Sequence, residues 1–233
     1  TMVGGLRADA NSYYGNVVSP RLHLKYDIGP LTNARLSVGH GFRSANPFVE
    51  NATVLASSRQ VIVQGDLGME RAWNFGASVL HKFKWIERKW AIGIDVYRTE
   101  FQDQIITDMD RHPRTVAFYM LDGRSYATSL LTDIQVEVTR DLDLKLSHRW
   151  YDVRATYDGV LRERPFTPQH RGMASLAFTD PKEHWRMDLT WSVFGKGRIP
   201  YTRATPEEYR MPEHSPSYSV VHAQVTRILG DWE

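Results

Sequence analysis

The sequence contains no cysteine. A disulfide scaffold and thiolate metal sites are therefore excluded, while an oxidising compartment stays permitted. There is also no apolar run of about 18 residues or more, which excludes helical membrane spans. Charge of one sign is scarce: 29 Lys and Arg stand against 27 Asp and Glu, a formal net charge of +2. So small an excess gives no broad basic field, and nucleic acid is not an expected partner. No Gly-rich phosphate loop, nucleophile elbow or zinc-binding helix is present, so the chain is expected to be no enzyme and to carry no cofactor. Thr1 to Arg7 lack the basic start, apolar core and cleavage site of a signal peptide, and read as the middle of a strand. Leu229 to Glu233 read as a strand running into a turn, so a piece of a longer protein is expected.

What is present alternates. Charged residues make up 24% of the chain, which looks water-soluble at first sight. A barrel strand, however, needs only every second residue to be apolar, so its average hydropathy stays low. In Trp185–Val193 the odd positions Trp185, Met187, Leu189, Trp191 and Val193 are apolar, and the even positions Arg186, Asp188, Thr190 and Ser192 are polar. Leu22, Leu24, Tyr26 and Ile28 alternate likewise with His23, Lys25 and Asp27. Ile134, Val136 and Val138 alternate with Gln135, Glu137 and Thr139, and Val221, Ala223 and Val225 with His222, Gln224 and Thr226. Successive side chains of a strand point to opposite faces, so each segment has one greasy face and one wet one.

Such segments number about ten, over roughly 2–9, 20–29, 34–45, 69–85, 90–107, 125–140, 142–157, 168–179, 185–201 and 217–229. Most reach the 9–11 or so residues that a bilayer-crossing strand needs, well above the usual globular length of about 5–6. Tight turns at 29–33, 86–89, 140–141 and 180–184 alternate with long loops near 10–19, 46–68, 108–124, 158–167 and 202–216. Short turns on one rim and long loops on the other predict an all-β, antiparallel transmembrane barrel in a bacterial outer membrane, one partial domain over 1–233. Phe83, Trp85, Trp90, Phe178, Trp185 and Trp232 are expected to mark the short-turn rim. Phe42, Trp73, Tyr97, Tyr126, Trp150, Phe194 and Tyr218 are expected to mark the other. Lys25, Asp27, Gln135, Glu137, Arg186 and Asp188 are read as facing the lumen, because a charge on the lipid side at mid-depth costs about 2–4 kcal/mol.

Particular words then become recognisable. Val18-Ser19-Pro20-Arg21-Leu22 opens a strand, and the next ends in Gly41-Phe42-Arg43-Ser44-Ala45-Asn46-Pro47. Glu70-Arg71-Ala72-Trp73-Asn74-Phe75-Gly76, Phe166-Thr167-Pro168-Gln169-His170-Arg171 and Ser215-Pro216-Ser217-Tyr218 open three later strands. In this order the words resemble those of TonB-dependent outer-membrane receptors. The resemblance implies about ten strands of the C-terminal part of a barrel of about 22, with the plug domain and the TonB-contacting box outside this chain. It also implies TonB-coupled import of a scarce nutrient such as a siderophore or other iron chelate, haem or cobalamin. The implied partners are outer-membrane lipid, the TonB complex through segments not in this chain, an extracellular nutrient and, compatibly, a surface lipoprotein.

Aromatics in or beside the long loops, namely Tyr13, Tyr14, Phe48, Phe118, Tyr119, Tyr157 and Tyr201, are the ligand-contact candidates, since pocket linings are rich in such groups. They could equally belong to the upper interface belt or pack the loops together. His81, His112, His148, His170, His184, His214 and His222 show no recurrent ligand spacing, and no metal site is expected. Asp108, Asp110, Arg111 and His112 could suit a hard cation, but lack a loop motif and read as a solvated loop. Two other functions fit the same pattern less fully. A passive porin would lack an upstream plug, and a secreted β-sheet binding protein would extract without detergent.

Overall fold

A computed structural model describes residues 1–182 and 184–230. Glu183, in one expected turn, and Trp232, on one expected rim, lie outside the described residues. In chain order the elements are β1 (Met2–Asn11), β2 (Gly15–Gly29), β3 (Thr32–Arg43), α1 (Pro47–Glu50), α2 (Ala52–Leu55), β4 (Gln60–Val63), β5 (Glu70–Trp85) and β6 (Arg88–Asp103). They continue with β7 (Ile105–Asp108), β8 (Thr115–Met120), β9 (Ser125–Thr139), β10 (Leu142–Tyr157), β11 (Val160–Glu163), β12 (His170–Thr179), β13 (Trp185–Phe194) and β14 (Tyr218–Arg227).

Ten of these strands form one antiparallel meander, β1-β2-β3-β5-β6-β9-β10-β12-β13-β14, in which each strand pairs with the next along the chain. They correspond to the ten expected segments, with three differences. β6 stops at Asp103, and Ile105–Asp108 leaves the sheet as β7. β13 stops at Phe194, not near residue 201. The expected loop at 10–19 is a tight hairpin instead, because the Asn11 side chain accepts hydrogen bonds from the Tyr13 and Tyr14 N–H groups (2.8 and 2.9 Å) and turns the chain at once.

Register sorts the two faces. One row across six strands runs Trp90, Val136, Leu144, Leu176, Leu189 and Ala223. The adjacent row, on the opposite face, runs Ala91, Gln135, Lys145, Ser175, Thr190 and His222. Among the described residues nothing packs over the apolar face: Leu36, Val79, Leu189, Trp191 and Val221 are all exposed, Trp191 to 50%. So wide an apolar sheet face is unsustainable in water but suits hydrocarbon, where the eight inner strands already make their hydrogen bonds laterally.

Aromatics bound this face as expected at the short-turn rim. Trp90 lies against Phe83 and Trp85, with ring centroids 6.1 and 5.4 Å apart. At the other rim Trp73, Tyr126 and Trp150 share the apolar face by register. Tyr97, Phe194 and Tyr218 do not: each sits an odd number of residues from its strand's apolar set, which places it on the polar face. From Tyr126 to Val136 the belt is about 33 Å of strand, or about 23 Å of height at a tilt near 45°.

The short turns lie where expected. Ile86 and Glu87 both adopt positive φ (50° and 58°), the mirror-image hairpin turn that matches strand twist, although a β-branched residue is strained there. Asp158 and Gly159 (φ 49° and 76°) make a second such turn, folding β11 back on β10.

Candidate functional site

At the long-loop end, two of the recognisable words meet. Arg43, closing β3, donates to Glu70, opening β5 (2.6 Å), and to Glu50 of α1 (2.8 Å). Glu70 is buried and also accepts from the Ile105 N–H (3.0 Å), so one carboxylate ties the ends of β3 and β5 to the start of β7. Asn46 caps α1 through Val49 N–H, Pro47 occupies its first turn, and Glu50 accepts from the Asn46 N–H in return. These short-range bonds fold the chain over the rim.

Above it lies a small second sheet, β4-β8-β7, with β4 and β8 parallel. Here is the principal apolar core: Val116 and Phe118, both at 0% exposure, pack with Ile105 and Met109 against Ala45, Val54, Leu67 and Met120. Ile106, Ala155 and Tyr157 form a second cluster.

Polar bonds lock this layer to its neighbours. Asp110 accepts from Arg198 Nη1 (2.9 Å) and from the Tyr201 N–H (3.0 Å), and Arg162 stands 3.8 Å away. Arg198 also donates to the Glu163 carbonyl (2.6 Å) and lies 5.5 Å from the ring centres of both Tyr157 and Tyr201. Both charged side chains are 4% exposed. Asp108 accepts from the Tyr119 hydroxyl (2.8 Å) and pairs with Arg111 (3.3 Å). The Tyr119 hydroxyl is driven to a pKa well above its usual range, first by burial and then by its bond to Asp108. Asp108 and Asp110 therefore do not lie in a solvated loop. Both carboxylates are buried because three loops converge on them; Arg198 is buried with Asp110, while Arg111 and His112 stay exposed at the surface. Among the described residues, no three His, Asp or Glu side chains gather as a metal site.

The seven aromatic candidates separate. Tyr13 (83% exposed) and Tyr14 stand edge to face at the β1–β2 tip, with centroids 4.9 Å apart. Phe48 is exposed on α1 and leans on Phe118. Tyr201 is half-buried beneath Arg162, Arg198 and Arg203. Tyr119 is bound to Asp108. Phe118 and Tyr157 are interior to the loop layer and present no surface to a ligand, because they supply the apolar area that holds the layer together.

Lys25, Asp27, Gln135, Glu137, Arg186 and Asp188 all fall on the polar face of the meander by pairing. Lys25 pairs with Asp27 (3.1 Å) and Glu137 with Lys89 (3.0 Å). Gly76 closes a motif word for a steric reason on this face: a Cβ there would meet the Tyr97 ring and Ser37 Oγ at 2.5 Å. Arg149 and Tyr151 carry no sequence signal, and Arg171 enters the sequence reading only as the last residue of a motif word; all three also lie here. Arg149 and Arg171 are direct cross-strand partners, a relation visible only once register is known.

The family model for the TonB-dependent receptor-like β-barrel matches residues 1–230. The chain belongs to this family. Its outer-membrane receptors include solved structures of the same fold. The chain aligns with the ferric enterobactin receptor PfeA of Pseudomonas aeruginosa at TM-score 0.70 and 11% identity, over 99% of this chain and 35% of that one. It aligns with the siderophore receptor PirA of Acinetobacter baumannii at TM-score 0.71 and 12% identity, over 99% and 37%. With the copper transporter OprC the TM-score is 0.71 at 13% identity, over 99% and 37%. Identities this low establish the shared fold alone, and the chain spans little more than a third of each neighbour. A search of curated proteins finds no match to this sequence.

Proposed function

We propose that this chain forms part of the wall, the lumen lining and several outer loops of a TonB-coupled importer for a scarce nutrient, in the class of siderophores, other metal chelates, haem and cobalamin. The observation that carries this is the division of one ten-strand sheet into an uncovered apolar face and a charged face, roofed at one end by an ordered layer of loops. The apolar face meets outer-membrane lipid. The charged face, with Lys25, Asp27, Gln135, Glu137, Arg186 and Asp188, lines the lumen, where a plug domain would sit. Tyr13, Tyr14, Phe48, Tyr119 and Tyr201 stand on the ligand side of the loops. Binding and passage involve no covalent step, so the protein acts as a receptor and transporter.

The test is uptake by a strain lacking the parent gene, supplied in turn with ferric chelates, haem, cobalamin or copper salts under limitation. Growth restored on one of these by the intact gene, and abolished by a protonophore, is the expected result. Uptake indifferent to the proton gradient would make the barrel a passive channel.

A further inference from the structure

Several basic side chains of the sheet face a carboxylate. Lys25 has Asp27, Lys89 has Glu137, and Arg71 has Asp103. Arg149 and Arg171 are different. They sit directly opposite each other on β10 and β12, an arrangement of like charges that costs stability, and among the described residues no carboxylate lies within ion-pair distance of either. Arg149 donates instead to the Tyr151 hydroxyl (2.7 Å) and lies 5.4 Å from that ring centre. Arg171 lies between the rings of Tyr151 (5.9 Å) and Phe194 (5.6 Å), and Phe194 stacks on Tyr218 at 4.8 Å. Both guanidiniums line a concavity of about 350 Å³ on the polar face. Its other charged groups are Lys145 and Asp133, and Asp133 is already engaged by the Ser147 hydroxyl and by Lys145 at 4.0 Å. Three cations against one carboxylate leave the concavity positive.

Its height in the wall is also fixed by the chain. Arg171 is the second residue of β12 after one long loop, Phe194 is the last of β13 before the next, and Tyr218 is the first of β14 after it. The cluster therefore lies directly under the loop layer.

We propose that Arg149 and Arg171, with the rings of Tyr151 and Phe194, form a subsite for a planar anionic group, an aromatic carboxylate, on a ligand entering from the loop side. A carboxylate accepts both guanidinium forks and removes the repulsion between them. An aromatic ring attached to it extends the stack already made by Phe194 and Tyr218. The subsite rests on the reading of the polar face as the lumen, and it narrows the ligand class to anionic compounds.

The experiment is calorimetric titration of the intact receptor in detergent with 3,4-dihydroxybenzoate and, separately, with its uncharged amide. The benzoate binds the wild type and the amide binds at least about ten-fold more weakly, as loss of one charge-assisted contact implies. The double variant Arg149→Gln/Arg171→Gln loses the preference for the benzoate, whereas Arg149→Lys/Arg171→Lys keeps part of it with a steeper dependence on salt. If the Gln pair fails to fold, the salt dependence of the Lys pair against wild type decides. Equal binding of benzoate and amide by wild type, or a preference that survives the Gln pair, would overturn the subsite. Import with no benzoate preference removes the subsite and leaves the importer. Benzoate preference with uptake indifferent to the proton gradient removes the importer and leaves the subsite.

Discussion

Replacing Arg198 by Met should open the loop layer while leaving the membrane strands intact. Arg198 and Asp110 are nine-tenths or more buried, and removing one partner of such a pair leaves an uncompensated charge, at a cost of about 3–5 kcal/mol. The low end applies here, because Asp110 keeps Arg162 at 3.8 Å, and because Asp110 Oδ2 and Arg198 Nη2 find no hydrogen-bond partner among the described residues, so the pair offsets its own desolvation incompletely. A loss of about 3 kcal/mol lowers amide protection roughly 150-fold for locally opening groups, at about 1.4 kcal/mol per decade. The reporters are the Tyr201 N–H, which donates to Asp110, and the Phe166 N–H, which donates to the Arg198 carbonyl. The assay is hydrogen exchange read by mass spectrometry over 104–124, 158–169 and 195–217. In the double variant Asp110→Leu/Arg198→Met, exchange should return part of the way to wild type, since no charge is left stranded. Unchanged protection in Arg198→Met, or a double variant worse than the two single changes together, would refute the latch.

Two further outcomes follow from the loop layer. Phe118→Ala removes a fully buried ring from its core, at about 3–5 kcal/mol, so limited proteolysis should cut within 46–68 and 104–124 while the meander strands stay protected. Tyr119 has a folded-state pKa raised above the unfolded value of about 10, so its contribution is full below pH 10 and declines as pH rises beyond it; a pH series of exchange in β8 should show this decline, and Tyr119→Phe should flatten it.

Much of the sheet was legible because its physics is one-dimensional. In β13 every second residue from Trp185 to Val193 is apolar, and lipid on one side and water on the other leave that pattern no other register. The rims were less legible. Tyr97, Phe194 and Tyr218 look like belt residues in composition, yet their parity puts them on the polar face, so parity had to be counted outward from each strand's own apolar set. The loops were least legible. A stretch such as 46–68 mixes polar and apolar residues without a period, and much of the loop layer's order comes from partners far along the chain: Arg59 donates to the Pro113 carbonyl across 54 residues, and Asp110 meets Arg198 across 88. One loop does carry a local signal, the Asp158-Gly159 pair, which favours a two-residue hairpin turn and produces β11. Phe118 and Tyr157 are illegible for the same reason: an aromatic in a loop is as useful for packing as for binding, and only burial separates the two.

The sorting of the meander into a lipid face and a water face is tested most directly on β13, helped by the absence of native cysteine. Single cysteines from Arg186 to Val193, spin-labelled in the intact receptor in lipid bilayers, report collision with oxygen, which partitions into lipid, and with a nickel chelate confined to water. Oxygen access should peak at Met187, Leu189, Trp191 and Val193, and nickel access at Arg186, Asp188, Thr190 and Ser192. Equal access along the strand, or the two sets exchanged, would contradict the account.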